Sequence, residues 1–212
     1  ELTKLWEESV SAGDPEGNYP VSFYQREWDR VIAEQDAFTL DAYYQVRRVG
    51  GGKPLYPKQR EQIWKVVETY QRLMSERGLM DDKTAMYQLR QCIAELPEQQ
   101  YRHIIVDEVQ DFSSSALRLL RVLAGSQQED DLFLVGDTRQ RVYDRRTSLA
   151  SCGIQLQGRV RHLWLNYRTT YELQKTAVQM LEGEAFDDMN GGVDYNRRYL
   201  SCTSGAFPQV GS

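Results

Sequence analysis

Three short stretches set polar or charged side chains directly after apolar runs, where a strand would end. The first is Ile104-Ile105-Val106-Asp107-Glu108-Val109-Gln110-Asp111, with three carboxylates inside five residues. Like charges grouped at a partly buried edge repel unless a cation or a proton neutralises them. In a nucleotide hydrolase that cation is magnesium, which an aspartate at the strand tip, here Asp107, helps to hold. The adjacent Glu108 can then orient and deprotonate a water. The competing reading is an acidic turn between a strand and a helix.

The second stretch is Leu134-Val135-Gly136-Asp137-Thr138-Arg139-Gln140-Arg141-Val142-Tyr143-Asp144-Arg145-Arg146. Gly136 lets the backbone turn sharply at a strand end. Gln140 is uncharged and can both donate to a phosphate oxygen and accept from water. Tyr143, set among arginines, offers a stacking face to an unpaired base. Gln140 and Tyr143 can equally be read as loop and packing residues. The third stretch is Leu163-Trp164-Leu165-Asn166-Tyr167-Arg168-Thr169-Thr170. An arginine between a strand and a helix can reach a phosphate over the sheet edge and stabilise charge that develops there.

These ends need strands and helices to hold them, and apolar periodicity supplies the outline. Ser22-x-x-Gln25 has the form of a capping box, with Phe23, Trp28, Val31 and Ile32 at helical spacing. A second helix is predicted over about 39–48, stopped by Gly50-Gly51-Gly52. A third starts at Pro57, carries Ile63, Trp64, Val67, Tyr70 and Leu73, and stops at Gly78. A fourth, over about 83–96, presents Met86, Leu89, Ile93 and Leu96 before Pro97. The tryptophans and tyrosines of these helices are expected in the core.

From residue 103 the period changes. Buried strands are predicted over 103–106, 132–135 and 160–165, with a helix capped by Ser113 and stopped by Gly125, and another over 170–181 ending before Gly183. Strands alternating with helices predict a parallel, doubly wound sheet with its ligand site at the strands' carboxyl ends. Residues 187–198 read as loop, and Tyr199-Leu200-Ser201 as the start of another strand.

Composition narrows the classes. Of 212 residues, 41% are hydrophobic and 27% charged, as in an ordinary soluble globular protein of one or two domains. No run of about 18 apolar residues is present to span a membrane, and no secretory pattern opens the chain. Cys92, Cys152 and Cys202 are scattered, and His103 and His162 stand apart from them, which argues against zinc and disulfides and for a cytoplasmic setting. The net charge is −5, yet residues 138–168 hold seven arginines against one acid, Asp144. Such a stripe either tracks a phosphate backbone or is a solvated loop.

In order and spacing, the three stretches resemble motifs II, III and IV of superfamily 1 helicases of the UvrD/Rep type: DExxQD, GDxxQxIYxxR and LxxNYRxT. The motif-bearing stretch runs from His103 to Thr170. The helical block at 22–78, with Phe23-x4-Trp28 and Gln59-Arg60-x3-Trp64, is similar to the helical insertion (domain 1B) that precedes motif II. Ser201-Cys202-Thr203-Ser204-Gly205-x-x-Pro208 resembles the entry to the second motor domain. The resemblance implies an α/β fold: part of a P-loop NTPase (RecA-like) parallel sheet with flanking helices, plus an N-terminal, mostly helical subdomain. It divides the chain into a 1B-like subdomain at 1–98, a portion of the motor core at 99–186, and a linker with the start of the second motor domain at 187–212.

The resemblance also implies roles. Asp107 would coordinate magnesium, and Glu108 would activate the hydrolytic water. Gln110 and Asp111 would link this loop to the rest of the site. Gln140 would sense the γ-phosphate, Tyr167 would lie near the adenine, and Arg168 would act as an arginine finger. Tyr143 and Arg146 would couple the ATP site to single-stranded DNA. Arg145 stands where the family has a base-stacking Trp or Phe; a guanidinium can still stack or bind phosphate. Thr147 replaces a glycine.

The implied function is that of an ATP-dependent DNA helicase or translocase moving 3′→5′ on single strands, with ATP and Mg2+ as cofactors. Single-stranded or partly duplex DNA would be its partner, along with proteins of a repair or recombination complex. No GxxxxGK[ST] loop occurs, since Gly50-Gly51-Gly52-Lys53-Pro54 lacks the spacing and the Ser/Thr. Glu1 and Ser212 are therefore read as internal boundaries of a longer parent, and the chain alone is expected to bind ATP poorly and not to unwind DNA. The alternatives are a non-catalytic helicase-like scaffold and an ATPase component of a repair or defence complex.

Overall fold

The structure is a computed structural model that describes residues 2–48, 54–96, 101–137, 140, 148–180 and 200–208, and the backbone of 186–187 and 193–194. The chain condenses into two units, Glu1–Ile104 with Ser113–Asp131, and Ile105–Phe112 with Leu132–Ser212. Tyr143, Arg145, Arg146 and Thr147 lie outside the described residues, as do Gly50 to Gly52 and Pro97.

The first unit is helical. α1 (Leu2–Gly13) lies along α4 (Pro57–Glu76) and was not foreseen from the pattern. α4 starts where Pro57 presets the first turn and Gln59 takes the Tyr56 N–H at 2.9 Å. It ends ahead of Gly78, whose φ of 62° only glycine adopts readily. Ile63, Trp64, Val66, Val67 and Tyr70 form its buried face, and Trp6 of α1 stacks on Tyr70 with ring centroids 3.8 Å apart. The expected aromatic core is there: Tyr24, Trp28, Tyr43 and Tyr70 are all buried.

Three helix expectations need correcting. α2 (Val21–Glu27) has Pro20, not Ser22, at its N-cap, with no side-chain cap, so Ser22 sits inside the first turn. It continues as a π-helical turn (Trp28–Ile32) that buries Trp28, Val31 and Ile32. α3 (Leu40–Gln45) is capped by Thr39 but stops short of Arg48. There Val46 becomes extended, and the Arg60 guanidinium takes the carbonyls of Tyr43 and Val46. α5 (Asp82–Ala94) ends before Leu96, which is exposed, and it turns Leu89 outward and buries Lys83 and Arg90 instead. The charges decide this orientation, because Lys83 meets Asp29 and Arg90 meets Asp36.

α6 (Ser114–Leu123) follows the forecast, with Ser113 Oγ accepting the Ala116 N–H at 3.2 Å and Gly125 at φ 72° after its end. It belongs to the first unit, held there by Ser114 to Glu34 and by Arg118 to Asp36 at 3.2 Å.

β1 (Ile104–Val106) pairs with β2 (Leu132–Leu134), and both run the same way: Val135 N–H donates to Val106 O at 2.8 Å, and Val109 N–H to Val135 O at 3.0 Å. Neither is the fully buried strand expected. Val106 is buried, but Ile105 is 78% exposed and Phe133 63%, since among the described residues nothing covers that face. The third strand is shorter than forecast. β3 (Leu165–Asn166) forms only where β6 (Leu200–Ser201) supplies a parallel partner, in register Leu165↔Leu200. α7 (Tyr171–Met180) lies between them in sequence as expected. At the start of the segment read as loop, 187–198, β4 (Phe186–Asp187) pairs antiparallel with β5 (Val193–Asp194) inside it.

The chain is thus α/β, mostly helical, with two small parallel sheets. The single doubly wound sheet is not seen among the described residues, whose strands form three separate pairs. No described helix is long and apolar enough to cross a membrane.

Candidate nucleotide-hydrolysis site

The site is assembled from short hydrogen bonds at the end of β1. Asp107 Oδ1 accepts the Glu108 N–H at 2.9 Å and starts the turn. Glu108 adopts φ 52°, ψ 41°, a left-handed conformation that costs a non-glycine residue about 1–2 kcal/mol. A 3-10 turn, Val109–Asp111, follows, with Asp111 N–H donating to Glu108 O at 3.0 Å. The reversal brings the Glu108 carboxylate back onto its own loop, where Gln110 Nε2 donates to Glu108 Oε2 at 2.6 Å.

Gln110 is buried, and its other end reaches the second stretch: its Oε1 accepts the Asp137 N–H at 3.1 Å. Asp137 in turn takes the Gln140 side chain, with Nε2 to Oδ2 at 3.2 Å, and Gln140 N–H donates to Asp137 O at 3.0 Å. A continuous chain therefore runs Glu108–Gln110–Asp137–Gln140. A carboxylate can only accept and a backbone N–H can only donate, so the orientation of both amides is determined. The structure thus joins Glu108 and Gln140, which were singled out separately. Gln110 is a link, as expected; Asp111 is exposed and, among the described residues, takes part only through its backbone N–H.

Gly136 serves this chain differently from the sharp turn expected of it. It is not among the positive-φ glycines. What it provides is space, since a Cβ there would lie 2.5 Å from Gln110 Oε1 and 2.8 Å from Val109 Cγ1.

The third stretch is built separately. Asn166 Oδ1 accepts the N–H groups of Arg168 at 2.9 Å and Thr169 at 3.2 Å, an Asx-type turn that lifts Tyr167 and Arg168 into the open. Strand β6 and the residues after it clamp that turn: Cys202 N–H donates to Asn166 O, and Tyr171 N–H to Thr203 O. Gly205 N–H donates to Glu172 Oε2 at 2.6 Å, which holds the Glu172 carboxyl below its ordinary pKa. Tyr167 and Arg168 make no hydrogen bond to the Glu108–Gln140 chain among the described residues. Sequence reasoning assigned no role to Asp137 or Glu172. The signal for Asp137 was its place three residues before Gln140, a separation that lets two side chains meet across one turn.

Among the described residues no group of three or more His, Cys, Asp or Glu side chains could hold a metal ion. Magnesium does not require one: it keeps several waters and takes one or two carboxylates plus phosphate oxygens. Asp107 suits that demand. It is exposed at the strand tip, and only its Oδ1 is engaged by protein among the described residues.

Residues 45–157 match the family model of the UvrD/REP helicase N-terminal domain, a span that carries the first two stretches. Among curated proteins the chain is similar to an ATP-dependent helicase/nuclease subunit of Natranaerobius thermophilus, 28% identical over 51% of the chain and 9% of that protein. It is also similar to the putative ATP-dependent DNA helicase YjcD of Bacillus subtilis, 26% identical over 68% of the chain and 20% of that protein. A human protein, TPR and ankyrin repeat-containing protein 1, is 23% identical over 70% of the chain and 6% of its own length. The chain thus spans a fifth or less of the length of each of these relatives. With more than half of its residues matched by that one model, the chain belongs to the UvrD/REP helicase family.

Proposed function

We propose that this chain supplies the water-activating half of an ATPase site in a longer ATP-dependent DNA helicase or translocase, moving 3′→5′ on single strands. Residues 1–98 would be the helical insertion, 99–186 part of the motor core, and 187–212 the passage to the second motor domain. The observation that carries this reading is the Glu108–Gln110–Asp137–Gln140 hydrogen-bond chain.

Asp107 would hold Mg2+, which when bound neutralises charge on the β- and γ-phosphate oxygens. Glu108 acts as the base that orients and deprotonates the attacking water. Gln110 donates to Glu108 Oε2, which fixes the carboxylate and leaves Oε1 to face that water. Gln140 has one amide hydrogen committed to Asp137, so its carbonyl oxygen and second N–H are presented to water and γ-phosphate. Arg168 stabilises charge on the transferring phosphoryl group, and Tyr167 flanks the adenine. Tyr143, Arg145 and Arg146 would contact the DNA strand. The phosphate-cradling loop would come from elsewhere in the longer protein.

The test is Glu108→Gln in the full-length protein that carries this chain. Loss of a general base lowers turnover by about 10²–10⁴-fold, while nucleotide binding stays near that of the unaltered protein. Normal DNA-stimulated ATP hydrolysis by that variant would remove Glu108 from the role.

A further inference from the structure

We infer that Asp137 is a positioning residue for ATP hydrolysis, the shared anchor that sets Gln140 and, through Gln110, Glu108. The inference rests on the function proposed above and deepens it. Three observations converge on Asp137. Its carboxylate accepts from Gln140 Nε2 at 3.2 Å, its carbonyl accepts the Gln140 N–H at 3.0 Å, and its own N–H donates to Gln110 Oε1 at 3.1 Å. Asp137 is therefore bonded to both Gln110 and Gln140.

The chemistry of the donor set gives the anchor a direction. An amide beside a carboxylate must turn its nitrogen inward, so Asp137 faces the Gln140 carbonyl oxygen away from itself. That oxygen can then accept from a water, and the remaining N–H can donate to a phosphate oxygen. Without the carboxylate the amide is free to rotate, and half of its orientations present the wrong group. The bond to Gln110 works through the Asp137 backbone, so it survives side-chain replacement. Truncating Asp137 thus removes the carboxylate that Gln140 Nε2 meets and leaves the backbone contact to Gln110, and with it Glu108, in place.

The experiment uses the full-length protein with Asp137→Ala, Gln140→Ala and the double variant, read as DNA-stimulated ATPase kcat and KM with melting temperature alongside. Asp137→Ala is expected to lower kcat about tenfold or more, the scale of one lost charge-assisted hydrogen bond, with KM for ATP changed less than about threefold. Because the residue acts through Gln140, the double variant should be no slower than Gln140→Ala. Unchanged kcat in Asp137→Ala, or losses that multiply in the double variant, would overturn the inference. If Asp137→Ala melts early, Asp137→Asn decides by the same cycle. Its amide oxygen still accepts from Gln140, so it should lose less than Gln140→Ala and add nothing to it; a multiplicative loss again overturns the inference. Glu108→Gln, run in parallel, separates the two levels. If it abolishes hydrolysis while Asp137→Ala is normal, only the anchor fails; if it hydrolyses normally, the proposed function fails and the anchor with it.

Discussion

Replacing Gly136 by alanine tests the steric basis of the candidate site directly. The new Cβ would lie 2.5 Å from Gln110 Oε1, 2.8 Å from Val109 Cγ1 and 3.3 Å from Val109 N. Val109 is held by its N–H to Val135 O at 3.0 Å, so the Gln110 amide is what must yield. Rotating it breaks the donation to Glu108 Oε2 and the acceptance from Asp137 N–H. A net neutral hydrogen bond contributes about 1 kcal/mol and one to a charged group about 1.5–3 kcal/mol. Their loss, at a residue 5% exposed, lowers stability by about 2.5–4 kcal/mol. For a chain of this size that corresponds to a fall in Tm of roughly 5–15 °C. The assay is thermal and urea unfolding of Gly136→Ala alone and in a Gln110→Ala background, where the first clash no longer exists. Gly136→Ala should be much less damaging in that background. Equal losses in both backgrounds, or a melting temperature within a degree of the unaltered chain, would refute the reasoning.

Other perturbations probe the first unit. Arg48→Ala takes the cation from the Glu27 carboxylate and leaves it the Tyr43 hydroxyl; the ion pair is 2.7 Å long and only 3–5% exposed on either side. Breaking a buried pair from one side costs about 3–5 kcal/mol, and a loss under about 1 kcal/mol in urea unfolding would contradict this. Gly13→Ala puts a Cβ 2.8 Å from Val66 Cα and 2.9 Å from Val66 N, and the helix backbone there cannot retreat as a side chain could. A destabilisation of about 1–3 kcal/mol is expected, and an unchanged unfolding midpoint would show that α1 shifts freely. For Asp14, burial works to raise the pKa, but hydrogen bonds from Asn18, Tyr24 and the Tyr19 N–H outweigh it and hold the carboxyl below its usual value. Its contribution is therefore complete above the ordinary carboxylate range and is lost as the pH falls through its own lower value. Asp14→Asn should be less stable than the unaltered chain at neutral pH, with the gap closing in acid below about pH 4; a gap that widens there would reverse the sign.

Local chemistry written into the sequence was legible where a single turn decides the structure. Pro57 and Gly78 bound α4, and Ser113 and Gly125 bound α6, because capping and the glycine backbone act over a few residues. The carboxylates after β1 and the glutamine after β2 could be singled out by type and spacing alone. The outward turn of Leu89 could not, because it follows from where Asp29 and Asp36 lie across the fold. The exposed face of Ile105 and Phe133 also escaped a reading that saw only apolar runs, since hydrophobicity reports a demand for cover and not its presence.

The sequence alone determined which groups are available: Asp107, Glu108, Gln110, Gln140 and Arg168, each at the end of an apolar run. Tertiary structure decided the connection of Glu108 and Gln110 with Gln140, because Gln110 and Asp137 are 27 residues apart and meet where β1 and β2 run side by side with a Cβ-free position between them. Spacing along the chain constrains contacts within a turn, whereas a hydrogen bond between strand ends depends on pairing and register, which no local pattern encodes.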